Sequence, residues 1–236
     1  SLSLSLYIYI YIYLCRSLFL SLSLSFLVSF SLLRFLSLGS GIWLLLEAVN
    51  SWQTFGLFLA LGIIAIIAAI TYTAGNKPYG YMGLGDLSVL IFFGWVAVLC
   101  TFYLHTQSID WWLFLPATSC GLFATAVLNL NNIRDSESDK LAGKNSLPVR
   151  MGKNNAIKYH WFLLVAGISC SIIYVSFHFN NPFQFLFLVV LPLLFINGKA
   201  VNEKKEAAEL DPYLKQMALT TLLFVITFGI GQTFVP

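Results

Sequence analysis

From Ala48 to Asn76 the chain carries no charged side chain, and the stretch Thr54 to Tyr72 runs through LGIIAIIAAI. About 20 consecutive apolar residues let one helix cross the hydrocarbon core of a bilayer. This chain repeats such runs at Leu87 to Gln107, Trp111 to about Ile133, His160 to His178, Phe183 to Asn197 and Gln216 to Val235. Gly41 to about Val49 reads as the end of an earlier helix. The Phe183 run is short and contains Pro192, so tilting, a kink or an extension is expected there. With 58% hydrophobic and 10% charged residues, an ordinary soluble domain is excluded. The expected fold class is all-α, a polytopic transmembrane helical bundle.

The loops between these runs alternate in charge. Lys77 lies in the first, Arg134 to Lys158 brings six basic residues to the third, and Lys199, Lys204, Lys205 and Lys215 occupy the fifth. The second loop, near Ser108 to Asp110, and the fourth, near Phe179 to Pro182, contain neither Lys nor Arg. The positive-inside rule assigns the basic side to the cytoplasm. A net charge of +3 is too small to argue for a nucleic-acid partner. Cys15, Cys100, Cys120 and Cys170 sit inside apolar runs without a CxxC pair and read as small buried hydrophobes.

Residues 1–38 have a different texture. Ser1 to Leu6 alternates Ser with Leu, and Tyr7 to Tyr13 alternates Tyr with Ile, as translated dinucleotide repeats would. We expect 1–38 to be a low-complexity segment foreign to the domain and 39–236 to be the membrane domain. If Leu18 to Leu38 inserts, it does so as a helix, because a lone strand leaves unpaired backbone in lipid.

The chemistry concentrates in NLNNIRDSESDKLAGKNSLPVRMG. Asn131, Asp135 and Asp139 recur every fourth residue, which on a helix places them along one slowly drifting face. Asn132 and Arg134 lie beside them. Carboxylates one turn apart, with an amide oxygen, suit a hard cation such as Mg²⁺, which keeps waters and phosphate oxygens in its shell. Lys140, Lys144, Arg150 and Lys153 follow, and cations facing a carboxylate-bound metal describe a site for a pyrophosphate leaving group. The plain alternative is a solvated helix end with paired charges. A second loop on the same face, with Tyr72, Lys77, Tyr81 and Asp86, favours the site. An EF-hand is excluded by the missing Gly and terminal Glu, and the GLG at Gly83 to Gly85 is a turn rather than a phosphate loop. His105, His160 and His178 read as interfacial or structural residues.

The run NNIRDSESDKLAGKNSLPVRMG resembles UbiA-type intramembrane prenyltransferases, and within them the branch that prenylates 1,4-dihydroxy-2-naphthoate in menaquinone synthesis. The narrower likeness rests on Asn-Asn before Asp135, AGK at Ala142 to Lys144 followed by PVRMG, and YTAGNKPYGYMGLGDLSVLIFFGWVAV at Tyr72 to Val98. It continues through LDPYLKQMAL. The resemblance implies nine transmembrane helices around a cavity open sideways to lipid, in a bacterial cytoplasmic membrane. It implies Mg²⁺, a polyprenyl diphosphate and dihydroxynaphthoate as ligands, and no nucleic acid. Asn131, Asp135 and Asp139 match the family's second Asp-rich motif, as metal and diphosphate ligands, with Asp135 and Asp139 catalytic. Lys144 and Arg150 match its basic loop, Asn132 and Arg134 flank the motif, and Tyr72 with Lys77 is similar to its Tyr-Lys motif at altered spacing. The reaction would release pyrophosphate, prenylate the ring and lose carbon dioxide, giving demethylmenaquinone.

No aspartate precedes Asp86, and Glu47 is the only earlier acid, so the first Asp-rich motif of the family is absent. About seven of the nine helices are expected, with low-complexity sequence in place of the first two, and turnover by this chain is expected to be near zero. Two readings stand beside this one: an enzyme for another aromatic acceptor such as 4-hydroxybenzoate, and a non-enzymatic membrane transporter or scaffold.

Overall fold

The computed structural model describes residues 35–75, 77–204 and 206–233. The expectation for Leu18 to Leu38, like Cys15 and the alternating repeats, falls largely or wholly outside that range. The described residues up to Gly62 and those from Ile63 onward fall into two compact units. The first contains α1, Phe35–Ala48, and the start of α2, Trp52–Thr73. Both are predominantly apolar, with Phe35, Trp43, Leu44 and Trp52 exposed.

The second unit contains the rest of α2, followed by α3 (Gly85–Thr106), α4 (Trp111–Arg134), two short helices α5 (Ser136–Leu141) and α6 (Leu147–Met151), then α7 (Lys153–Phe177), α8 (Pro182–Glu203) and α9 (Ala207–Thr233). Six of the described helices are long and apolar enough to cross a membrane, and no strand occurs among the described residues. The all-α bundle read from the sequence is therefore the fold, and the protein is an integral membrane protein.

Polarity is distributed as lipid requires. Phe162, Val165 and Ile173 on α7 and Leu219, Leu222 and Val225 on α9 are exposed, whereas Ser119, Asn129, His160, Ser171, Gln184 and Asn197 are buried. Apolar faces meet acyl chains at no cost, and polar groups must find partners inside the bundle. Ser119 Oγ donates to the Gly167 carbonyl at 2.7 Å and accepts from Ser171 Oγ at 2.7 Å, tying α4 to α7. His160 Nε2 lies 3.0 Å from Asn197 Oδ1, and Asn197 Nδ2 donates to the Tyr213 carbonyl at 2.9 Å. Because the Asn197 amide nitrogen is committed as a donor, its oxygen accepts, which assigns the proton to Nε2 of a structural histidine. Phe123, Phe187 and Phe224 fill the centre, with the first and third rings edge to face at 4.8 Å.

Helix α4 is the hub of this unit. Where α3 passes it, a Cβ on Gly94 would lie 2.7 Å from the Ala117 carbonyl oxygen and 2.9 Å from Gly121 Cα, so only glycine permits the crossing. Gly94 lies within a π-helical stretch, Leu90–Val96. In α8, 3₁₀ turns over Pro182–Val190 give way to α-helix at Leu191–Glu203, and Pro192 occupies its first turn, where no intrahelical N–H is needed. The helix extends beyond Asn197, as the short apolar run suggested. Two starts lie earlier than the hydropathy alone indicates, at Lys153 rather than His160 and at Ala207 rather than Gln216. Charged residues in those opening turns mask the helical pattern. Cys100, Cys120 and Cys170 are free thiols.

Candidate functional site

The polar cluster forms where α4 ends. Asp135 breaks the helix at φ −90° and ψ 5°, its amide still bonded to the Asn131 carbonyl at 2.9 Å, and α5 resumes at Ser136. After α5 the chain reverses at Gly143, φ +72°, and the Lys144 amide returns to the Asp139 carbonyl at 2.8 Å. That six-to-one bond past a left-handed residue is a Schellman cap. It turns the Lys144 side chain back over α5.

Two linked groups result. In the first, Arg134 grips Asp135, with Nε donating to Oδ1 at 2.8 Å and Nη2 donating to Oδ2 at 3.0 Å, while Nη2 also donates to Asn131 Oδ1 at 2.9 Å. Asn131 Nδ2 completes the ring by donating to Asp135 Oδ2 at 3.2 Å. The remaining arm of Arg134 reaches Asp211 of α9 at 2.8 Å. In the second group, Lys144 Nζ pairs with Asp139 Oδ2 at 2.9 Å and donates to Asn132 Oδ1 at 3.3 Å, and Ser146 Oγ donates to the same Asp139 oxygen at 3.1 Å. Asn131 and Asp135 thus share a face as their spacing suggested, while Asp139 joins Asn132 and Lys144. The Arg134 guanidinium beside Asp135 holds its carboxyl below the usual carboxylate range against an opposing effect of partial burial, with Lys144 adding to the lowering.

The loop after α2 lies against this cluster. Asn145 N donates to the Tyr81 carbonyl at 2.9 Å, and Arg150 Nη1 donates to the Met82 carbonyl at 3.2 Å. Tyr72 is wedged beneath, its ring edge-on to Tyr79 at 5.3 Å and its hydroxyl 3.1 Å from where a Cβ on Gly85 would stand. It lies within electrostatic reach of Lys144, Asp86 and Asp139. Lys77 is exposed, and no hydrogen bond ties it to the cluster among the described residues. Asp211 and Ser146 were not singled out by sequence reasoning. Asp211 stands 77 positions from Arg134, and no local pattern signals such a contact.

The donor chemistry fits a hard divalent cation. Asn131, Asp135 and Asp139 present oxygen only, yet no three His, Cys, Asp or Glu side chains among the described residues converge on one point. Mg²⁺ needs no such cage, since it is commonly held by one or two carboxylates together with substrate phosphates. The two ion pairs already place a positive charge on each carboxylate. A cleft of about 450 Å³ opens beside Asp135, lined by Arg134, Ser138, Lys153 and Glu206 among others.

A helical membrane protein with paired acidic and basic side chains gathered at one end of its helices is suited to holding a phosphorylated ligand beside lipid. The comparisons give that class its family: the UbiA prenyltransferase family matches residues 17–222, and the chain belongs to it. It is 45% identical over 197 residues to the 1,4-dihydroxy-2-naphthoate octaprenyltransferase of Escherichia coli, covering 82% of this chain and 64% of that protein. It is likewise 45% identical over 192 residues to the Haemophilus influenzae protein of the same name, covering 81% and 62%. The corresponding Mycobacterium tuberculosis protein is 36% identical over 169 residues, covering 71% and 56%. The matched chain thus spans less than two thirds of the length of these relatives.

Proposed function

We propose that this chain binds an allylic polyprenyl diphosphate at the α4–α5 end and serves transfer of the polyprenyl group to 1,4-dihydroxy-2-naphthoate with loss of carbon dioxide, as in demethylmenaquinone formation. The observation that carries this reading is the charge arrangement: Asp135 and Asp139 each sit on a cation, Arg134 and Lys144, with Arg150 tethered over the same end. Relatives 45% identical are named for octaprenyl transfer to 1,4-dihydroxy-2-naphthoate, which supports the acceptor and the transferred group in this reading.

In this reading Asn131 and Asp135, with Asp139 from the adjoining group, would hold Mg²⁺, which would supply positive charge to a diphosphate leaving group. Arg134 orients Asp135 and Asn131 through its fork and fixes which oxygens remain available. Lys144 moves from Asp139 toward the diphosphate as the ligand arrives, Arg150 approaches from α6 and Lys77 from the loop after α2, and Tyr72 closes the floor. Asn132 steers Lys144. The basic loops face the cytoplasm, in keeping with the positive-inside rule.

The test is equilibrium binding of a non-hydrolysable allylic thiodiphosphate to the chain in lipid nanodiscs, with and without Mg²⁺. Binding should require Mg²⁺ and drop at least tenfold in Asp135→Asn and in Asp139→Asn. Metal-independent binding untouched by either substitution would overturn the reading and favour a transporter or scaffold. Binding of dihydroxynaphthoate, but not of 4-hydroxybenzoate, alongside the thiodiphosphate would support the acceptor.

A further inference from the structure

Asp211 lies in the second turn of α9 with its side chain 61% exposed. An ion pair so open to water contributes little to stability, so its bond to Arg134 does little to hold the bundle together. The backbone beneath it is nevertheless fixed. Neighbouring Leu210 is 1% exposed and packs with Leu130 and Ile133 of α4, Ala156 of α7 and Val201 of α8. The Asp211 carboxylate is thereby held at a set place relative to the end of α4.

Arg134 covers the oxygens that the prenyl-transfer reading gives to the metal. Its Nε and Nη2 bond both oxygens of Asp135, and Nη2 also bonds Asn131 Oδ1. Asp135 Oδ2 accepts a second bond, from Asn131 Nδ2. A carboxylate oxygen has about two lone-pair sites, so Oδ2 is filled and capacity remains on Asp135 Oδ1 and Asn131 Oδ1. Where that capacity points depends on how the guanidinium plane is held. Nη1, the arm that bonds neither Asn131 nor Asp135 among the described residues, donates to Asp211 Oδ1 at 2.8 Å.

The charges give Asp211 a second effect. Asp135 with Arg134 is a neutral pair, which offers a divalent cation little attraction and sets a guanidinium beside it. Adding the Asp211 carboxylate leaves the hydrogen-bonded group with one net negative charge. Arg134 and Asp135 line the cleft of about 450 Å³, whereas Asp211 stands outside its wall and acts from behind Arg134. We infer that Asp211 is a positioning residue for the metal end: from α9 it holds Arg134 so that oxygens of Asp135 and Asn131 stay open, and it draws the guanidinium charge away from an incoming cation. The inference rests on the reading in which Asn131 and Asp135 hold Mg²⁺.

The test follows binding of a trace allylic thiodiphosphate to the chain in phosphatidylcholine nanodiscs across a Mg²⁺ series, and reads the Mg²⁺ concentration at half-maximal binding. Asp211→Asn should raise that concentration ~10-fold, the scale of one charge-assisted hydrogen bond, while the melting midpoint without Mg²⁺ stays within about 2 °C of the parent. Asp211→Glu, which keeps the charge, should recover most of the shift. Arg134→Gln should need no more Mg²⁺ than the parent, because losing the guanidinium's repulsion outweighs losing its orientation. On that background Asp211→Asn should shift the concentration by less than about twofold. An unchanged concentration in Asp211→Asn, a higher one in Arg134→Gln, or a melting loss well beyond 2 °C in Asp211→Asn would overturn the inference. So would a tenfold shift that persists without Arg134, which would put Asp211 on the metal itself. Mg²⁺ dependence that is lost in Asp135→Asn but ignores Asp211→Asn overturns this inference alone, whereas a parent without Mg²⁺ dependence sinks the metal reading and this inference with it.

Discussion

Replacing Lys144 with methionine removes one charge from a pair that water barely reaches. The Lys144 and Asp139 side chains are 20% and 12% exposed, the ion pair spans 2.9 Å, and the same ammonium holds Asn132 Oδ1 at 3.3 Å. Lys144→Met strands Asp139 with only the Ser146 hydroxyl. Breaking a buried pair from one side costs ~3–5 kcal/mol, and the residual exposure here brings our figure to about 2–3 kcal/mol. For a chain of this size each kcal/mol moves a melting midpoint by roughly 2–4 °C, so a fall of roughly 4–12 °C is expected in mild detergent. Thiodiphosphate affinity should fall about 10- to 100-fold as a charge-assisted contact is lost. The double variant Lys144→Met with Asp139→Asn separates the two effects, since it leaves no stranded charge. It should recover most of the melting loss and none of the affinity. An unchanged midpoint and affinity in the single variant would refute the claim that this pair both holds the turn and meets the ligand.

Further outcomes can be checked at once. Gly94→Val should prevent recovery of folded protein, because its Cβ would stand 2.7 Å from the Ala117 oxygen, whereas Gly56→Ala, with open space around it, should melt like the parent; size-exclusion profiles decide this. The Asp135 carboxyl is lowered in the folded chain, so its share of stability is complete above the ordinary carboxylate pKa of ~4 and is lost as pH falls through the lower folded value. Melting between pH 7 and 5 should therefore show no difference in pH dependence between the parent and Asp135→Asn, with the two diverging only at more acidic pH.

The helical architecture was legible because uncharged runs bounded by glycine and proline leave few alternatives in a bilayer. The limits of that reading fall at Lys153 and Ala207, where polar opening turns of α7 and α9 look like loop. The Asn131 and Asp135 pairing follows from four-residue spacing alone. Asp139 departs from that row because Gly143 turns Lys144 back onto it, a consequence of one left-handed residue beyond the helix. Arg134 to Asp211 and Asp86 to Tyr159 depend on how distant helices pack, and neither leaves a mark on local sequence.

The central claim is that Asp135 and Asp139 bring a divalent metal into contact with the diphosphate of an allylic ligand. Mn²⁺ in place of Mg²⁺ makes that contact visible: electron-nuclear double resonance on the chain in nanodiscs, loaded with Mn²⁺ and an allylic thiodiphosphate, reports phosphorus directly bonded through oxygen to the metal. The account predicts a ³¹P coupling of inner-sphere size that disappears when Asp135 and Asp139 are both changed to Asn. A coupling that survives the double substitution, or protein-bound Mn²⁺ without any phosphorus coupling, would contradict it.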